Sequence, residues 1–155
     1  MKLSNSSFKK LLIGVSIVLS AITAHVTYKE VTVTNTGIPN KPNQEQLTNI
    51  KYVCDSVFEK ARNHFKVPIY ISSGIRVIAV NQAVHGVENS QHVKGEALDL
   101  DCDVYGKITN KQLFNYIHDS LDYDQLITEG GKNGWIHVSY VIKNNRHESF
   151  NINNP

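Results

Sequence analysis

The chain has 155 residues, 41% of them hydrophobic, which suits one globular domain with a single core. Its net charge of +2 is unevenly placed: residues 1–30 carry four lysines against one glutamate, and the rest carries twelve Lys/Arg against thirteen Asp/Glu. A body this close to neutral excludes a nucleic-acid binder, which needs a concentrated basic face.

The excess charge belongs to "MKLSNSSFKKLLIGVSIVLSAITAHVTYKE". Lys2, Lys9 and Lys10 precede an apolar run from Leu11 to Ala24. A basic start and a run of this length fit a signal peptide better than a full span, which needs ~20 residues. Ile22 is bulky where a cleavage site wants a small residue, so an uncleaved membrane tether and a packed N-terminal helix stay open. We expect residues 1–27 to be a signal peptide or anchor, 28–143 the domain and 144–155 a polar, loose tail. Cys54 and Cys102 read as two buried apolar residues, with one disulfide possible if the chain is exported, and no CxxC pair suggests a thiolate metal site.

Residues 25–42 read as a linker with one short extended piece. "NQEQLTNIKYVCDSVFEKARNHF" reads as a helix, with Asn43 and Gln46 as a capping box. Its apolar stripe is Leu47, Ile50, Cys54, Val57, Phe58 and Ala61. "PIYISSG" reads as a strand, "AVNQAV" as a short helix and "ALDLDCDV" as a second strand. "ITNKQLFNYIHDSL" reads as a helix capped by Thr109 and Gln112. "DQLITEG" and "WIHVSYVI" read as two further strands joined by a glycine-rich turn. This order predicts an α+β domain with a small, largely antiparallel sheet flanked by helices.

Side chains alternate along a strand. In "ALDLDCDV", Leu98, Leu100 and Cys102 point one way; Ala97, Asp99, Asp101 and Asp103 point the other. In "WIHVSYV", Trp135, His137 and Ser139 share the face away from the core. His92 lies seven residues before Asp99, and Gly95 permits a turn that folds the intervening loop back over the strand. Two histidines and an aspartate can offer three ligands to Zn²⁺ and leave the fourth position to water, as catalytic zinc requires. On spacing alone, the same residues also fit hydrogen-bonded histidines and solvated acids.

The ordered motifs "SSGIRVIAVNQAVHG", "NSQHVKGEALDLD", "LFNYIHDSLDYDQLITE" and "WIHVSY", from about Tyr28 to Tyr140, carry a resemblance. Together they resemble the zinc D-alanyl-D-alanine carboxypeptidase family of the lysostaphin/D-Ala-D-Ala/hedgehog group. The resemblance is strongest to small phage-type and bacterial cell-wall peptidases. The family's Ser-x-His-x-x-Gly-x-Ala-x-Asp falls on Ser90, His92, Gly95, Ala97 and Asp99, and its Trp-x-His on Trp135 and His137. The resemblance implies His92, Asp99 and His137 as zinc ligands. It also implies Arg76 as a binder of a substrate carboxylate or carbonyl, a task that suits a guanidinium fork, with Ser90 assisting. Val77 and Ile78 stand where the family often has serine and proline.

Many relatives place an acid three residues before the last histidine, where this chain has Gly134. Glu129, at the end of "QLITE", is the nearest upstream acid and is assigned as the base. Among the other histidines, His85 is expected near the cleft, His118 packed on the core, and His64 and His147 on the surface. Glu96, Asp101 and Asp103 are expected to be solvated.

The implied activity is hydrolysis of peptidoglycan stem peptides or cross-links by metal-activated water, as a carboxypeptidase, D,D-endopeptidase or endolysin. The alternative is a catalytically inactive zinc-binding or peptidoglycan-binding protein of a virion or envelope. The expected form is a monomer in the periplasm or envelope, membrane-associated if residues 11–24 stay attached, or in the host cytoplasm or virion if phage-encoded.

Overall fold

The computed structural model describes residues 21–131 and 134–152. Most of the apolar run from Leu11 and the middle of the glycine-rich turn, 132–133, lie outside the described residues. Among the described residues, no helix is long and apolar enough to cross a membrane.

Among the described residues the first helix is α1 (Tyr28–Thr32), where the sequence suggested an extended piece in a linker. Thr27 and Glu30 form a capping box that favours a helical turn, and Val26 and Val31 are fully buried in the core. The long predicted helix starts where its capping box requires. It runs as α2 (Gln44–Val53), passes through a π turn (Cys54–Phe58) and continues as α3 (Glu59–Phe65). The predicted stripe is buried, Leu47 partly and the rest fully. Then come β1 (Tyr70–Ser73), α4 (Ile78–Ala83), α5 (Gln91–Lys94), β2 (Ala97–Asp101), α6 (Asn110–Ser120), β3 (Gln125–Glu129), β4 (Trp135–Ser139) and β5 (Glu148–Ile152).

The five strands form one sheet in the order β1-β2-β4-β3-β5. All pairings are antiparallel except β3 with β5. The fold is therefore the predicted α+β class. One difference is at the C terminus: the segment read as a loose tail supplies β5, paired with β3 along its whole length. Its residues are all exposed, so the strand has no apolar alternation to announce it.

The registers fix two faces. Leu98 pairs with Val138, which pairs with Leu126; this row is fully buried against the helices. Asp99 pairs with His137, which pairs with Ile127, on the opposite face. Cys54 and Cys102 are both free and buried, as the sequence suggested. Burial pushes both thiols up, Cys102 to about 12, so neither is a nucleophile at neutral pH.

Candidate metal centre

Asp99 and His137 meet because β2 and β4 pair them directly. His92 arrives from outside the sheet, on α5, a single helical turn rather than the plain loop expected. Two features of Gly95 let the chain turn from α5 into β2. It adopts φ +75°, and a Cβ there would stand 2.4 Å from the Gln46 carbonyl oxygen. Any other residue would push α5 off α2. That contact carries polar links too: Gln46 Nε2 donates to the Val93 carbonyl and Asn49 Nδ2 to the Lys94 carbonyl. Helix α2, which in sequence shows only a core stripe, thus holds the helix of His92.

All three residues are buried, each at most 8% exposed. His92 Nε2 lies 3.1 Å from Asp99 Oδ1, His137 Nδ1 lies 3.0 Å from the same oxygen, and the two ring nitrogens are 3.2 Å apart. Tetrahedral ligands at ~2.0–2.1 Å from zinc are ~3.3–3.4 Å from one another, so this triangle is only slightly smaller. The donor chemistry agrees. His92 Nδ1 donates to the Gly74 carbonyl at 2.6 Å, which leaves the Nε2 lone pair facing the carboxylate. Two acceptors 3.1 Å apart need a proton or a metal ion between them. The three residues form a ligand set that fits zinc.

Burial alone would raise the Asp99 carboxyl. When protons rather than a metal ion stand between these groups, the charge of His92 and a hydrogen bond from His137 outweigh it and hold Asp99 well below the usual carboxylate range. Arg76 adds to this: its Nη2 donates to Asp99 Oδ2 at 2.6 Å and its Nε to Ser73 Oγ at 2.9 Å. Its backbone N–H donates to the His92 carbonyl. Arg76 therefore touches one candidate ligand through its side chain and another through its main chain. Sequence reading placed Arg76 in the site but missed these contacts, since neither is a neighbour in the chain. The Arg76 side chain is one-fifth exposed, so it borders solvent as well.

Ser90 is buried at the start of α5, two residues before His92. Glu129 ends β3 and pairs with Trp135, two residues along from the Ile127–His137 pair and therefore the next row on the same face. Same-face rows are ~6.7 Å apart, a diagonal that long side chains span. A cavity of about 600 Å³ opens at this end of the sheet, lined by Glu129, Trp135, Phe114 and Phe150 among others, and touches none of the three ligands.

Gly134 explains why no acid stands three residues before His137. A Cβ there would lie 1.8 Å from the Glu129 carbonyl oxygen. Position 134 lies too close to the end of β3 for any side chain.

Of the remaining candidates, His85 sits exposed at φ +55° beyond α4. His118 is exposed beside Asp119 rather than packed on the core, because its ring turns to that carboxylate at 2.7 Å. His64 and His147 are exposed as expected. Asp101 and Asp103 are not simply solvated. Asp101 accepts from Asn110 Nδ2 and the Asp103 N–H, closing the end of β2, while Asp103 accepts from the Asn110 N–H. Glu96 is half-buried, which raises its carboxyl.

No curated protein matches the chain. A family model described as peptidase M15 matches residues 24–139, three-quarters of the chain and every element except β5. With a His-Asp-His set of zinc-ligand size buried on its sheet, the chain belongs to the peptidase M15 family of zinc D-Ala-D-Ala carboxypeptidase-type metallopeptidases.

Proposed function

We propose that this zinc peptidase hydrolyses peptide bonds of peptidoglycan, in stem peptides or cross-links, with His92, Asp99 and His137 as the metal ligands. The observation that carries the reading is the buried triangle of donor atoms, with an acid one row away on the same face. Zn²⁺ supplies Lewis-acid polarisation of the scissile carbonyl and activation of the attacking water.

The chain's own groups do the rest. Glu129 takes the proton of the attacking water as the new C–O bond forms. It then delivers that proton to the amine nitrogen as the C–N bond breaks. Arg76 keeps Asp99 ionised and oriented, and its solvent-bordering edge meets a carboxylate or carbonyl of the peptide, with Ser90 close by at the start of α5. An exported or tethered N terminus would bring the domain to this substrate.

The test is incubation of the purified chain with peptidoglycan, with and without chelator, and identification of products by mass spectrometry. The expected result is new amino and carboxyl ends at one type of bond, abolished by chelator and restored by zinc. Zinc-loaded protein that releases no peptide would sink the peptidoglycan reading in favour of a binding protein.

A further inference from the structure

The spacing of Asp99 and His137 is set by the ladder between β2 and β4. His92 has no such support. Its helix has four residues, too short to hold itself in place, so tertiary contacts must set its position. One of these contacts reaches across to the far side of the site.

Asp124, just before β3, is as buried as Asp99. Its Oδ1 accepts from the Arg146 backbone N–H at 3.1 Å and from Nε at 2.9 Å. Its Oδ2 accepts from Arg146 Nη2 at 2.5 Å and from Gln91 Nε2 at 2.8 Å. Gln91 is the residue before His92. On the other side, the Asp124 N–H donates to the Ser139 carbonyl at 2.8 Å, and the Gln125 N–H donates to Ser139 Oγ at 2.9 Å. Ser139 is two residues past His137. Hydrogen bonds joined by short stretches of main chain therefore connect His92, through Gln91, Asp124 and Ser139, to His137. Arg146 closes this path, at the entry to β5.

We propose that Arg146 is a positioning residue for the metal centre, acting through Asp124 and Gln91 to hold the helix of His92 at the distance that β4 sets for His137. The C-terminal segment then has a function: β5 anchors Arg146 through its parallel pairing with β3 and through Glu148, whose Oε2 lies 3.0 Å from Arg146 Nη1. Without Arg146, the buried Asp124 keeps one side-chain donor, Gln91, and loses the fork that fixes its orientation. Gln91 is then free to change rotamer, and α5 to shift.

This inference rests on the metal reading of the site, and the test separates the two. Zinc affinity of the full chain is measured by competition with a chromophoric chelator for the wild type, Arg146→Met, Gln91→Met and the double variant. Cobalt(II) absorption and thermal unfolding are recorded on the same samples. Each single variant is expected to bind zinc about tenfold more weakly, at the low end for loss of an outer partner, with a shifted cobalt band. The double variant should lose little more, because both changes break one path. Variants that melt earlier but bind zinc within twofold of wild type, with an unchanged cobalt spectrum, would overturn the positioning role. A wild type that does not bind zinc would instead overturn the metal reading.

Discussion

Asp99 and Asp124 are the same kind of residue in nearly the same burial, each facing an arginine, and only one belongs to the proposed metal centre. The difference lies in the other partners. Around Asp124 every neighbour is a donor: three nitrogens of Arg146 and the amide of Gln91. That carboxylate is saturated by these donors and leaves no lone pair for a metal ion. Around Asp99 one oxygen is given to Arg76, and the other faces two histidine nitrogens that can present lone pairs. A buried carboxylate becomes a metal ligand when its surroundings leave it short of donors and rich in other acceptors. Burial and an arginine are not enough.

The comparison is broken most completely at the ligands. His137→Ala should remove zinc and activity together, by more than the ~100-fold that loss of an outer partner costs; metal content and peptide release measure both. Glu129→Gln should separate them, retaining zinc while the turnover rate falls ~10²–10⁴-fold. Full activity with zinc retained would mean that another group moves the proton.

Gly134→Ala should cost about 1–3 kcal/mol, because the added carbon meets a backbone oxygen that no rotamer can move; denaturant unfolding reads it. Gly134→Asp, which puts the acid where many relatives have it, should destabilise at least as much and should not rescue Glu129→Gln.

The smallest effect is at Asp124. Hydrogen bonds from Arg146 are the chief cause that holds its carboxyl below the usual range. A depressed carboxylate stabilises the fold at pH values above its unfolded value, ~3.9. That contribution is lost as pH falls through the lower folded value. Asp124→Asn should therefore cost about 1–2 kcal/mol at pH 7, and its difference from wild type should shrink below about pH 4. Unfolding curves at pH 7 and pH 3 test the sign.

Much of the frame was legible because it depends on residues near one another in sequence. The capping boxes at Asn43–Gln46 and Thr109–Gln112 form as read, since a cap is a contact across three residues. The face assignment of Leu98 against Asp99, and of Val138 against His137, follows from strand alternation alone and holds in the register. The helical turn at Tyr28–Thr32 was not read although Thr27 and Glu30 form a local capping box of the same kind, and the π turn at Cys54–Phe58, whose Phe58 is buried in the core, leaves no local mark.

The site divides in the same way. The three candidate ligands could be nominated from motif and alternation, while their convergence needed the pairing of β2 with β4 and the docking of α5 on α2. The contact of Arg76 with Asp99 spans 23 residues, and that of Arg146 with Asp124 spans 22. No local pattern records such pairs, because a charged residue carries no mark of which opposite charge will reach it. The sequence by itself determined which side chains lie on each face of the sheet and where its capped helices begin. Only the tertiary structure decided which carboxylate would be left wanting a metal, and why position 134 has room for nothing but hydrogen, since both depend on atoms that distant parts of the chain bring within a bond's reach.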